Sequence, residues 1–312
     1  MLNRLAAVVP AVVVLVLAAG TAAAGAPTHP GILVARIDDL GKPFDLRANL
    51  YLPAGGAPAP LVLYIHGKGG SYNAPKDRLA ALAESLTMGG IAVATIDYRP
   101  SGRMPAMLFD AKAYIRYFRA HAAQYNLDPA RFAIWGVSRG GNLAAMLAVT
   151  GDVKQLEGDI GGNAGQSSRL TAAVIYFPLT DMFLNADDKA AQMFGDYLGT
   201  SDADSAAIVT AYRKHDTASP FWKDVLRIEE VNPLNYVEKD APPALIAVGG
   251  HDVGNVPVNS SAFYDKYIEK GAEAHYYSWS PGTHGHVGKD IEEATIVWLE
   301  EHLSAHPPQQ YR

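Results

Sequence analysis

Phe132-Ala133-Ile134-Trp135-Gly136-Val137-Ser138-Arg139-Gly140-Gly141-Asn142-Leu143-Ala144-Ala145 decides how the rest of the chain is read. Its first four residues are an apolar, strand-like run, and the segment 142–149 that follows is rich in helix formers. Between them stands G-x-S-x-G, which places Ser138 on a sharp turn from strand to helix. Glycines two residues to either side are expected where a Cβ would collide. The hydroxyl of Ser138 then stands exposed at a helix N-terminus, where the backbone N–H of Arg139 faces any negative charge developing beside it.

A serine hydroxyl is a weak nucleophile near neutral pH, so a histidine base and an acid to orient it are expected at later strand ends. Asp252 follows the apolar strand 244–248, and His284 lies in the loop after the strand 275–279. Asp181, also at a strand end, competes with Asp252 for the acid role, and His286 competes with His284 for the base. His251 reads as a loop residue. His284-Gly285-His286 has no carboxylate-rich companion motif, so no metal is expected. Upstream, His66-Gly67-Lys68-Gly69-Gly70 ends another strand, where backbone N–H groups of Gly67 and Lys68 join that of Arg139 as candidate oxyanion donors.

Outward from these motifs, strand-like and helix-like segments alternate, the mark of a mostly parallel sheet with helices on both faces. Strands are expected at 32–37, 45–52, 61–65, 91–96, 132–135, 172–177, 244–248 and 275–279, eight in all. The first two, joined through Gly41-Lys42-Pro43, form an antiparallel edge. Leu79, Leu82, Ala83 and Leu86 mark one helix, and Ala111, Ile115, Phe118 and Ala122 another. Asp128-Pro129 opens a turn into the nucleophile strand, and helices are expected at 260–270 and 291–302. The stretch of about 182–240 is too long for a plain connection and reads as a lid-like insertion. Its aromatic residues Phe183, Phe194, Tyr197, Tyr212, Phe221 and Trp222 are expected to be local core.

Residues 1–24 carry one charge, Arg4, then an apolar run over 5–19 and an Ala22-Ala23-Ala24 site. This is a signal-peptide pattern whose cleavage leaves 25–312 as one domain, secreted or periplasmic; the alternative is an uncleaved membrane anchor. No stable membrane insertion is expected after processing. The chain of 312 residues is 49% hydrophobic with a formal charge of -6 and no basic run, which excludes a disordered chain and a nucleic-acid partner. With no cysteine there is no disulfide, thiolate metal site or cysteine nucleophile.

Together these motifs resemble the α/β-hydrolase esterases of the acetyl-esterase and lipase type, and most the bacterial feruloyl and acetyl-xylan esterase branch. The likeness runs through 61–67, 128–141, Leu156-Glu157-Gly158 with Ser167-Ser168, 240–246 and Gly282-Thr283-His284-Gly285. It implies an α/β-hydrolase fold and triad roles for Ser138, Asp252 and His284. It also implies oxyanion roles for Gly67, Lys68 and Arg139, no cofactor, and a small-molecule or polysaccharide-borne ester as substrate. The chain departs from the pattern at Gly69-Gly70, where the family commonly has Gly-Trp or Gly-Phe, and at Arg139, where it often has alanine. Residues 253–257 are also one longer than the usual spacing.

The expected activity is therefore that of a serine carboxylic-ester hydrolase acting on short-chain, acetyl or hydroxycinnamoyl esters. The alternatives are a serine peptidase of the prolyl oligopeptidase type, for whose propeller the stretch before the first strand leaves no room, and a non-catalytic binding protein.

Overall fold

The computed structural model describes residues 25–73, 76–151, 153–184 and 188–304. The leader 1–24 and its cleavage site lie outside the described residues. One eight-stranded sheet holds the strands β1 (His29–Asp39), β2 (Lys42–Tyr51), β3 (Ala59–Ile65), β4 (Ala92–Ile96), β5 (Leu127–Val137), β6 (Ala172–Tyr176), β7 (Ala244–Gly249) and β8 (Ala274–Trp279). Their spatial order is β1-β2-β4-β3-β5-β6-β7-β8. The pairs β1/β2 and β2/β4 are antiparallel and every other pair is parallel, so the antiparallel edge is where the sequence reading put it.

Period-two alternation sorts each central strand between two cores. Leu61, Leu63, Ile65, Phe132, Ile134, Ala173 and Ile175 face one side, packed beneath α2 (Ala106–Ala120), α3 (Arg139–Val149) and α7 (Val256–Lys270). Val62, Val93, Ala133, Val174 and Leu245 face the other, beneath α1 (Lys76–Met88) and α8 (Lys289–His302). These strands are buried on both faces, which is why the sequence shows short continuous apolar runs where they lie.

Elements begin or end a few residues away from the expected points. The turn residues Lys42 and Pro43 belong to β2, and α7 begins at Val256 with Pro257 in its first turn rather than at 260. Asp128-Pro129 lies inside β5, where the pairing slips between Ala59↔Leu127 and Leu61↔Phe132. The Asp128 carboxylate accepts the Ala130 N–H at 2.9 Å, so the expected turn exists as an irregularity within the strand. Ala122 is buried as expected but lies past the end of α2.

The insertion carries α4 (Asp188–Leu198), α5 (Asp202–Lys214) and α6 (Trp222–Glu229). Phe194, Tyr197, Ile208, Val225 and Ile228 are buried in the same cluster as α2 and α3. The insertion is therefore fastened to the body of the domain, and Phe183, Phe194 and Tyr197 are core residues as the sequence reading expected. Phe183 also stacks on Tyr212 with ring centroids 3.9 Å apart.

Candidate active site

The site lies at the carboxyl ends of β3, β5, β7 and β8, the end at which parallel sheets hold their ligands. Ser138 separates β5 from α3 with φ 58 and ψ -117, a conformation costing roughly 1–3 kcal/mol for a residue with a Cβ. Close packing imposes it. A Cβ on Gly136 would run into the carbonyl of Gly140, and one on Gly140 would run into the carbonyl of Ile65. The Ser138 N–H is tied to the Tyr176 carbonyl at 2.9 Å, which holds the turn against β6.

Asp252 and His284 are 32 residues apart in sequence and are brought together because β7 and β8 are neighbours. Gly250 N–H donates to Trp279 O at 2.7 Å and His251 N–H to Gly282 O at 2.8 Å, so the two loops are stitched along their backbones. His251 takes part through its backbone, and its side chain is exposed, as expected of a loop residue. Ser138 Oγ lies 2.8 Å from His284 Nε2, and His284 Nδ1 lies 2.8 Å from Asp252 Oδ1. The tautomer that satisfies both contacts has Nδ1–H donating to the carboxylate and Nε2 accepting the serine proton. The Asp252 side chain is fully buried, whereas the His284 ring is 36% exposed. Val253 N–H donates to the same Asp252 oxygen at 2.6 Å, and Oδ2, also buried, has no partner among the described residues.

The rival positions fall elsewhere. Asp181 closes a local turn, its carboxylate accepting from Phe183 N–H at 2.9 Å and Leu184 N–H at 3.2 Å. Its backbone N–H donates to Asn259 Oδ1 at 2.6 Å. His286 packs edge-on against Trp279, with ring centroids 4.8 Å apart. Neither contacts Ser138 or His284 through a hydrogen bond among the described residues.

Gly67, Lys68, Gly69 and Gly70 form a tight turn closed by Gly70 N–H to Gly67 O at 3.1 Å. Gly69 in third position has φ +79, the left-handed value that a type II turn requires there. The turn presses on the serine, since a Cβ on Gly67 would come within 3.3 Å of Ser138 Cβ. No described residue accepts a hydrogen bond from the backbone N–H of Gly67, Lys68 or Arg139. His66 anchors the turn between two acceptors, Gly67 O at 2.8 Å and Asp97 Oδ1 at 2.9 Å. Tyr98 stacks on the His66 ring and donates to Gly67 O at 3.1 Å. Burial pushes the Tyr98 hydroxyl well up, with Arg139 acting the other way, so it stays protonated and able to donate.

Three supports escaped the sequence reading. Asp97 holds His66 and also accepts the Tyr72 N–H at 2.9 Å. Asn142, one turn into α3, donates to Tyr197 Oη at 2.7 Å and accepts the Leu179 N–H at 2.5 Å. Asp196, from α4, receives Lys68 Nζ at 2.7 Å and also Arg139 Nη2. The cations at 68 and 139 are the only sequence signal for an acidic partner, and nothing in the sequence singles out Asp196 among the acids of the insertion.

A cavity of about 730 Å³ opens beside Ser138 and His284. Phe177, Leu179, Met193 and Val256 give it an apolar wall, and Lys68, Asn142, Asp196 and Asn255 a polar one. The Phe177 ring lies 5.5 Å from that of His284.

A family model described as BD-FAE matches residues 48–267, which includes Ser138 and Asp252 and stops before His284. The chain belongs to the BD-FAE family. Among its relatives are two proteins of Mycobacterium tuberculosis (strain ATCC 25618 / H37Rv). Carboxylic ester hydrolase LipN is 29% identical over 218 residues, covering 68% of this chain and 54% of LipN. Esterase LipQ is 25% identical over 243 residues, covering 74% of this chain and 51% of LipQ. The chain thus spans about half the length of these curated relatives. Among solved structures, a truncated form of a carbohydrate esterase from gut microbiota superposes with a TM-score of 0.72 at 25% identity, over 90% of this chain and 98% of that one. An acetyl ester-xyloside bifunctional hydrolase from Caldicellulosiruptor lactoaceticus shares the fold, with a TM-score of 0.70 at 20% identity over 88% of this chain and 97% of that one. The BD-FAE chain accordingly has the α/β-hydrolase fold, with an eight-stranded, mostly parallel sheet and helices on both faces.

Proposed function

We propose that the protein is a serine carboxylic-ester hydrolase that works through an acyl-enzyme, with Ser138 as nucleophile, His284 as base and Asp252 as the acid that orients it. The observation that carries this reading is the unbroken run Ser138 Oγ, His284 Nε2, His284 Nδ1, Asp252 Oδ1, with 2.8 Å at both contacts. Ser138 Oγ attacks the ester carbonyl carbon as His284 Nε2 takes its proton. The backbone N–H groups of Gly67, Lys68 and Arg139 receive the oxyanion, each donor supplying on the order of 3 kcal/mol of transition-state stabilisation. The alcohol leaves with the proton from His284, and a water activated by the same ring then releases the acid.

Short-chain or acetyl and hydroxycinnamoyl esters, small or carried on a polysaccharide, are the substrates this reading assigns. The two-sided cavity supports that class, as does the likeness to a carbohydrate esterase. The leader pattern at 1–24 supports export to the periplasm or beyond. A series of p-nitrophenyl esters from acetate to octanoate, assayed on the chain from Gly25, tests the activity. Turnover that is greatest on the short esters is expected, and a protein inert towards the whole series sinks the reading.

A further inference from the structure

We infer that Asp196 is a positioning residue for the oxyanion site, one carboxylate that sets the two residues whose backbone N–H groups receive the developing charge; this rests on the ester-hydrolase reading above. Lys68 and Arg139 come from different strand ends, one from the turn after β3 and the other from the first position of α3. Their side chains converge on the same atom, Asp196 Oδ2. Arg139 stands where the pattern of the resemblance often has alanine.

Asp196 is itself held firmly, which is what makes it a reference point. Its neighbour Tyr197 is buried, accepts from Asn142 Nδ2 at 2.7 Å, and receives the Met104 N–H on its carbonyl at 3.1 Å. On the other side, Arg103 Nη1 donates to Gly195 O at 3.2 Å. The Arg139 side chain is 7% exposed and packs so closely on Gly102 that a Cβ there would strike its guanidinium. Arg139 is therefore set within α3 by packing as well as by charge. Lys68 is different, with a side chain 65% exposed on a glycine-rich turn. Its bond to Asp196 ties the tip of that turn to the same carboxylate that fixes α3. The bridge sets the spacing between the Lys68 and Arg139 N–H groups, and a donor displaced by a fraction of an ångström stabilises an oxyanion less.

The test compares the wild type with Asp196→Asn, Asp196→Glu and Lys68→Met, on a p-nitrophenyl ester that the wild type hydrolyses. In Asp196→Asn, kcat is expected to fall about 10- to 100-fold with KM changed less than about threefold. Affinity for a trifluoromethyl ketone, which forms a tetrahedral oxyanion on the serine, should fall by the same factor. Affinity for the matching methyl ketone, which stays trigonal, should hold. Asp196→Glu should recover part of kcat. Adding Lys68→Met to Asp196→Asn should cost little more, because the bridge is already open. Should Asp196→Asn fail to fold, Lys68→Met alone decides, with an expected fall in kcat of about threefold from losing one arm of the bridge. Unchanged kcat, a loss confined to KM, or equal loss of both ketone affinities overturns the inference. If Ser138→Ala abolishes turnover while Asp196→Asn retains it, this inference alone fails. A wild type inert on every ester removes the proposed function and this inference together.

Discussion

Replacing Glu157 by alanine should destabilise the protein by about 3–5 kcal/mol while leaving its chemistry intact. Lys112 and Arg116, on α2, have fully buried side chains, at 0% and 1% exposure, and Glu157 is an ion-pair partner of both. One carboxylate oxygen accepts from Lys112 Nζ at 2.6 Å and from Ser168 Oγ at 2.7 Å, and the other from Arg116 Nη1 at 3.0 Å. Truncation takes that carboxylate away from two buried cations, which keep their bonds to Thr150 O for Lys112 and to Glu157 O and Ile160 O for Arg116. Those surviving bonds keep the cost near the range for breaking one buried pair rather than two. For a domain of this size it corresponds to a Tm lowered by about 5–8 °C. Thr150 caps the far end of α3, about 18 Å along the helix axis from Ser138, so kcat and KM of the folded variant should match the wild type. Differential scanning calorimetry beside an ester assay reads both quantities, and Lys112→Met added to Glu157→Ala should restore part of the Tm. A Tm within about 3 °C of the wild type would refute the reasoning, because the cluster would then tolerate the loss of its shared carboxylate.

Four further outcomes follow from the same structure. Asp252→Asn should lower kcat by about 10³- to 10⁴-fold with the fold retained, since the amide no longer selects the tautomer that accepts the Ser138 proton; steady-state kinetics with circular dichroism checks it. Asp181→Ala should leave kcat/KM within about threefold, because among the described residues its carboxylate serves the local turn at Phe183 and Leu184. Gly140→Ala should cost more than about 3 kcal/mol and abolish activity, its Cβ having nowhere to go but into the Ile65 carbonyl; urea denaturation measures the first and ester turnover the second. Asp97→Ala leaves the His66 ring and the Tyr72 N–H without their shared acceptor, so a loss of about 1–3 kcal/mol and a kcat lowered at little-changed KM are expected from calorimetry and kinetics together.

The sequence was legible where local rules and chain order carry the information. The antiparallel edge, the doubly buried strands and the turn at Ser138 each leave a pattern in neighbouring residues: a short turn, continuous apolar runs and paired glycines in turn. Ser138, Asp252 and His284 were singled out by their place after strand ends, and the structure sets them in one line of contacts. What stayed hidden depends on residues far apart in sequence. Asp196 meets Lys68 across 128 residues and Arg139 across 57, and a lone aspartate in a helical insertion carries no local mark of either contact. Glu157 and Ser168 stood out as part of a resemblance, yet only the packing around α2 shows that Glu157 neutralises buried cations and that Ser168 donates to its carboxylate. Helix starts were misjudged where proline or glycine lay at the first turn, as at Pro257, because those residues are equally at home in a loop.

The central claim is that Ser138 carries the acyl group, and covalent labelling tests it most directly. The chain from Gly25 would be incubated with a fluorophosphonate, then examined by intact mass and peptide mapping, beside Ser138→Ala. One adduct per chain, mapped to Ser138, absent from Ser138→Ala and accompanied by loss of ester turnover, is the predicted result. An adduct on another residue, or ester turnover that survives in Ser138→Ala, would contradict the account.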